Sequence, residues 1–172
     1  MQTTERREAD PLHPLPGSIQ LRPFEPGDAA AFRQLNEAWI GKYFAIEEKD
    51  SEVLNDPFNY ILKPGGHILM AVQAGSPIGC CALLAMGDGC YEVAKMCVSE
   101  GLRGQGTGRR LLNYVVEYAR SIGARRLYLE TNTKLANAIH LYEAVGFQHL
   151  PPERIQPSPY ARANVYMEMS LT

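Results

Sequence analysis

Between Ser99 and Gly108 the chain packs four glycines, Gly101, Gly104, Gly106 and Gly108, into one short connection, with Arg103, Arg109 and Arg110 around them. Glycine leaves room for a ligand to approach the backbone and permits φ above zero, so alternating glycines suit a turn whose N–H groups point at an anion. The flanks strengthen this. Tyr91 to Val98 reads as a strand, with Val93, Met96, Cys97 and Val98 among a few polar residues and no proline. Beyond Gly108, residues Leu111, Leu112, Val115, Val116, Ala119 and Ile122 fall on one face of a helix. A strand, a glycine-rich turn and a helix present unpaired amide donors, and the positive end of a helix dipole, to a bound anion. A Walker A loop does not fit, because no lysine follows Gly106 or Gly108. A dinucleotide fingerprint does not fit either, because Arg109 stands three residues past Gly106.

What fits is R-x-x-G-x-G, here Arg103-Gly104-Gln105-Gly106-Thr107-Gly108. This resembles the pyrophosphate-binding signature of the GNAT superfamily of N-acetyltransferases. A second segment, AIHLYEAVGF at Ala138 to Phe147, is similar to the NxxAxxLYxxxGF signature that closes the core of that superfamily. Ala138, Leu141, Tyr142, Gly146 and Phe147 match it. The slot of the family asparagine holds Leu135, and the nearest asparagine is Asn137. The two signatures and the elements between them cover about Ile78 to Phe147.

The resemblance implies an α/β (α+β) fold: a mixed, mostly antiparallel central sheet with helices on both faces and two central parallel strands, Tyr91–Ser99 and Arg126–Thr131, that splay apart. It implies acetyl-CoA as co-substrate, with the pantetheine arm in the V-shaped gap along Met96, Cys97 and Val98. The pyrophosphate is then expected on amides from Arg103 to Gly108, beside Arg109, with Asn137 and Tyr142 completing the cofactor side. The activity implied is acetyl transfer to a primary amine of a small molecule or peptide, by direct attack in a ternary complex. A catalytically degenerate CoA or acyl-CoA sensor is the second reading.

Acyl transfer from a thioester needs a neutral amine, a donor for the developing oxyanion and a proton or hydrogen bond for the leaving thiolate. The family usually places a tyrosine near the cofactor sulfur, which makes Tyr142 the candidate acid. Glu92, near the start of the cofactor strand, is the candidate base, with Glu130 at the end of the facing strand as its rival and water as the third choice. Strict alternation puts Glu92 on the face of Ala94, Met96 and Val98. The acceptor side is expected from Tyr43, Phe44, Glu48 and Asn132, with Glu47 and the 160–164 stretch beside them. Acids next to aromatics suit a cationic amine. Lys95 and the histidines His13, His67, His140 and His149 show no informative spacing.

These residues must be held by one domain, for which 172 residues suffice. Met1 to Gly17, charged and then punctuated by Pro11, Pro14 and Pro16, reads as a flexible arm before a single domain over 18–172. The expected order is a strand at Ser18–Phe24, a helix from Asp28 to about Trp39, and a helix capped by Asp50. The helical FNYIL segment follows, then strands at His67–Ala74 and Ile78–Met86. After the Tyr91 strand and its helix come a strand at Arg126–Thr131, a helix at Leu135–Val145 and strands at Phe147–Leu150 and Asn164–Leu171. Apolar residues make up 45%, charged residues 21%, and the net charge is −2, an ordinary globular balance with no basic field for nucleic acid. Cys80, Cys81, Cys90 and Cys97 lack metal spacing, and three or four of them, in apolar strand-like surroundings, read as buried free thiols, so no metal is expected. No apolar run approaches the ~20 residues that span a bilayer, and the start lacks the core of a secretory signal. The cytoplasm is the expected compartment, without a membrane partner. A homodimer would agree with the habit of the resembled superfamily.

Overall fold

The computed structural model describes residues 17–102 and 105–172. The expected arm, apart from Gly17, and Arg103 and Gly104 of the glycine-rich turn lie outside the described residues.

In chain order the elements are β1 (Ile19–Pro23), α1 (Ala29–Tyr43), α2 (Glu48–Asn55), β2 (His67–Gln73), β3 (Ser76–Gly87) and β4 (Cys90–Val98). Then come α3 (Thr107–Ser121), β5 (Arg126–Thr131), α4 (Ala136–Val145), β6 (Gln148–His149) and β7 (Val165–Ser170). The strands form one 7-stranded sheet in the order β1-β2-β3-β4-β5-β7-β6. Every neighbouring pair is antiparallel except β4 and β5. Mixed pairing and helices on both faces are the architecture that the resemblance implied.

The apolar run of β2 shows why helices cover both faces. Leu69 and Ala71 pack with Leu111, Leu112, Val115 and Val116 of α3. Ile68, Met70 and Val72 pack with Phe32 and Ile40 of α1 and Val53 and Leu54 of α2. A strand buried on both sides reads as a continuous apolar stretch, not as an alternating one. Its hairpin to β3 turns at Ala74 and Gly75, with φ of 49° and 77°. Two positive φ values match the right-handed twist of the flanking strands.

Several element boundaries differ from expectation, for local reasons. Helix α1 continues through Tyr43, where Phe44 leaves the helical region at φ −143°. Helix α2 is capped by Glu47 and not by Asp50. Asp50 sits three residues in and accepts the Glu47 N–H at 2.9 Å, a capping box. Phe58–Leu62 forms a π-helical turn. The strand expected over Phe147–Leu150 shrinks to Gln148–His149, paired with β7 at the sheet edge.

The informative irregularity lies in β4. Ala94 pairs with Ala82 and Cys97 with Cys80, so Lys95 and Met96 together oppose Cys81. Lys95 takes φ of +52° there. One extra residue inverts the inside–outside phase of all that follows. Thus Val93 packs on the α3 side while Cys97 packs on the α1 side. The alternation expected for Glu92 therefore fails. Met96 and Val98 pack on the α3 side, whereas Glu92 and Ala94 share a cavity with Asn36, Trp39 and Ile40 of α1.

Parallel pairing of β4 with β5 runs from Cys90↔Arg126 to Val93↔Leu129 and stops. Beyond it β4 keeps only β3, and β5 keeps β7 out to Thr131↔Val165. The central strands diverge, and the edge of β4 from Ala94 to Val98 that faces β5 has no strand beside it. Among the described residues no helix is long and apolar enough to cross a membrane.

Candidate active site

Two cavities meet in the gap between β4 and β5. The larger, about 560 Å³, is a channel with Met96, Cys97 and Val98 on one wall, Asn137 and Leu141 on the other, and Gly108 at its α3 end. The smaller, about 110 Å³, is lined by Phe44, Glu92, Lys95, Glu130, Tyr160 and Arg162 among others. Trp39, Met96, Leu135 and Tyr142 line both. A molecule threaded through the channel would meet a second one at these side chains.

Where α3 begins, Gly106 is the N-cap with φ of +77°. A Cβ placed there would meet nothing within 4 Å, so the backbone is open to a ligand. Thr107 is only 1% exposed, yet its Oγ1 has no hydrogen-bond partner among the described residues. An orphaned buried hydroxyl costs about 1–3 kcal/mol, a penalty that an anionic ligand oxygen would remove. The first amides of the helix likewise have no intrahelical acceptor. The arrangement favours an anion.

In the smaller cavity the carboxylates have different environments. Glu130 accepts hydrogen bonds from Tyr128 Oη at 3.0 Å and from Ser158 Oγ. Glu92 lies beside Tyr128 in the β4–β5 register. Burial, together with the negative charge of Glu130, pushes the Glu92 carboxyl up to about 7, Lys95 opposing in part. Burial also raises the Tyr142 phenol, which therefore stays protonated at neutral pH. Its ring meets that of Phe147 edge-on, at 5.9 Å and 66°.

A third carboxylate organises the wall. Asp50 is fully buried. It accepts Lys95 Nζ at 2.7 Å, both terminal nitrogens of Arg162 at 2.7 Å and the Glu47 amide at 2.9 Å. Burial alone would raise this carboxyl, but the hydrogen bonds from Arg162 and Lys95 prevail and hold it at about 2. Lys95 Nζ donates also to Tyr160 Oη at 3.1 Å, and the Arg162 guanidinium lies 4.6 Å from the Tyr160 ring centre. One carboxylate thus fastens α2, the β4 bulge and the connection before β7 together.

Comparison with known proteins agrees with this geometry. The family model described as "Acetyltransferase (GNAT) family" matches residues 30–147. The chain belongs to the GNAT acetyltransferase family. It is 27% identical over 152 residues to an uncharacterized N-acetyltransferase of Schizosaccharomyces pombe, covering 86% of this chain and 91% of that one. An IAA acetyltransferase of Azospirillum brasilense is 38% identical over 93 residues, 54% of this chain and 61% of that one. Among solved structures, a GNAT acetyltransferase of Staphylococcus aureus superposes with a TM-score of 0.81 at 19% identity, over 90% of this chain and 100% of that one. At that identity the likeness is one of fold.

Against this GNAT frame the residues singled out in the sequence fall as follows. Met96, Cys97, Val98 and Gly108 line the channel, and so does the exposed Asn137. Leu135, in the family asparagine slot, is the N-cap of α4 and lines both cavities. Gln105 and Arg109 are exposed beside the start of α3. Tyr142, Glu92 and Glu130 converge on the smaller cavity. Phe44 and Asn132 line it as well, although the Asn132 amide donates to the Arg162 carbonyl at 2.6 Å. Tyr43 lines the cofactor channel instead, and Glu48 is exposed on the first turn of α2 and lines neither cavity. Sequence reasoning passed over Lys95 and read Asp50 only as a cap. The Glu47–Asp50 spacing did carry a signal, but the burial of Lys95 depends on a positive φ that no local pattern announces.

The Asp50 cluster gives a measurable expectation. Asp50→Asn leaves Lys95 and Arg162 without their buried counter-charge and should cost about 3–5 kcal/mol in urea unfolding. Folding lowers this carboxyl from 3.8 to about 2, so its contribution is complete above 3.8 and fades as pH falls towards 2. The difference between wild type and variant should shrink over that window. A difference that stays constant from pH 5 to 2 would remove Asp50 from this role.

Proposed function

We propose that this protein transfers the acetyl group of acetyl-CoA to a primary amine by direct attack within a ternary complex. The observation that carries the reading is the junction of the two cavities at Trp39, Met96, Leu135 and Tyr142, beside the unpaired edge of β4. The names of related proteins, which include an IAA acetyltransferase and a spermidine N-acetyltransferase, span different acceptors.

The chain's own groups fit such a co-substrate. The amides at the start of α3 and the orphaned Thr107 hydroxyl would hold the diphosphate, and Gly106 leaves the space for it. The unpaired edge from Ala94 to Val98 offers backbone partners to the amides of the pantetheine arm. When bound, acetyl-CoA supplies an activated thioester. Glu92, whose carboxyl titrates at about 7, takes the proton of the incoming amine. Freed N–H groups on the splayed part of β4 supply an oxyanion donor. Tyr142, protonated and lining both cavities, gives a hydrogen bond or a proton to the departing sulfur.

Three measurements test this reading. Calorimetry with acetyl-CoA should give heat with wild type and none with Gly106→Glu, because the new side chain fills the open space and repels the diphosphate. The base must be ionised to act, so kcat/KM should rise with pH through about 7 and level off above it. Glu92→Gln should abolish that rise and slow turnover by about 10²–10⁴-fold. A rise that survives in the variant would move the role to Glu130 or water. Tyr142→Phe should lower kcat more than it weakens acetyl-CoA binding, and unchanged turnover would take Tyr142 out of the mechanism.

A further inference from the structure

The acceptor cavity does not have the electrostatics that an acidic, aromatic entrance would have given it. Its wall near α2 is cationic. Lys95 and Arg162 line the cavity, while their counter-charges, Asp50 and Glu47, are absent from its lining. Asp50 stands behind the cations, whereas Glu47 lines an adjoining cavity that shares Phe44, Asn132 and Arg162 with this one. Asp50 is saturated by Lys95, by the Arg162 fork and by the Glu47 amide, and has no exposed surface. Glu47 is occupied by the Ala161 N–H and by Arg162 Nη1, both at 3.1 Å.

The cations keep capacity of their own. Lys95 Nζ spends two of its three donors, on Asp50 and Tyr160. The side-chain bonds of Arg162 to described residues all use its terminal nitrogens, which leaves Nε–H. The guanidinium is held in place by Tyr160, with Phe44 at 6.0 Å on a further contact. A planar donor group fixed by aromatic rings and a buried carboxylate is prepared for an anion, and loses little freedom in binding one. The same cavity carries Glu92 and Glu130. Its volume of about 110 Å³ has room for a compact molecule.

Resting on the acetyltransferase reading above, we propose that the acceptor is a compact amine that bears its own carboxylate, an amino-acid-like molecule whose carboxylate is held by Arg162 and Lys95 while its nitrogen faces Glu92 and Tyr142. A second ammonium group, as in a polyamine, would instead meet N–H donors on that wall, where Asp50 is already taken up by Lys95, Arg162 and the Glu47 amide. Arg162 and Lys95 are then the residues that determine specificity. In the reaction the amine nitrogen forms the new bond to the acetyl carbon, the carbon–sulfur bond breaks, and the sulfur leaves as CoA thiol with a proton from Tyr142, which solvent restores. One amine proton goes to Glu92. The carboxylate of the acceptor takes no part in bond making.

The test uses matched amines: free amino acids, their α-carboxamides and the corresponding decarboxylated amines, assayed by thiol release from acetyl-CoA with the full-length protein. The carboxylate-bearing member of each active set should lead in kcat/KM by about tenfold or more, the scale of one charge-assisted hydrogen bond. Arg162→Gln should erase that lead by raising KM with kcat little changed, while Arg162→Lys, which keeps a cation on Asp50, should retain part of it. Heat with acetyl-CoA in both variants reports that they remain folded. Carboxamides or simple amines that match or outrun the amino acids in wild type would overturn the proposal and leave the acetyltransferase reading intact. So would an undiminished preference in Arg162→Gln. Absence of heat between wild type and acetyl-CoA would overturn the acetyltransferase reading, and this proposal with it.

Discussion

Hydrogen bonding between the two parallel strands ends at Val93 and Leu129, and the unpaired backbone left on β4 is the constraint on which the rest of the site depends. Buried main-chain donors and acceptors need partners, so a bare strand edge inside a domain is a place for a ligand to lie. The bulge at Lys95 and Met96 lies within this stretch, on the edge facing β3. A bulge bends the strand that carries it and sharpens its twist, which is the form a diverging strand needs. The channel runs along the unpaired edge, and the smaller cavity opens where the phase of β4 inverts.

The bulge has an energetic cost and a compensation. A lysine in the left-handed region is disfavoured by about 1–2 kcal/mol. The Lys95 ammonium, turned into the domain, also loses water, and burial lowers its affinity for the proton. Asp50 at 2.7 Å and Tyr160 at 3.1 Å supply what the solvent no longer does. The strain of the strand and the ion cluster of the wall are therefore two sides of one arrangement: the backbone conformation directs the lysine inward, and the buried carboxylate makes that direction tolerable.

Three carboxylates within one small region show how position alone assigns chemical character. Asp50, surrounded by cations and by an amide, stays ionised at almost any pH. Glu130 is fixed by two hydroxyl groups. Glu92, desolvated and next to Glu130, is brought into the range where a proton can be both taken up and released near neutrality. The side chains differ by one methylene at most. Their neighbours decide whether each serves as counter-ion, fixed charge or proton carrier.

Much of this was legible in the sequence because it is local. Alternating glycines between an apolar strand and an amphipathic helix marked the start of α3, and Arg126–Thr131 has the bounds of the strand as read. The Leu141-Tyr142 and Gly146-Phe147 pairs marked α4 and the turn after it. All of these follow from spacing over a few residues, where backbone geometry fixes which side chains are neighbours. The single face expected for Glu92, Ala94, Met96 and Val98 was misread at Met96 and Val98, because strict alternation has no means of registering an extra residue in β4. The cationic wall was invisible for a related reason: its bonds join residues 45 and 112 positions apart. Sequence by itself determined the family, the sheet's elements and the start of α3 after the glycines, since these rest on periodicity and glycine chemistry. Only the tertiary structure decided which charges line the smaller cavity, because the character of a cavity wall depends on which member of each buried pair stands in front.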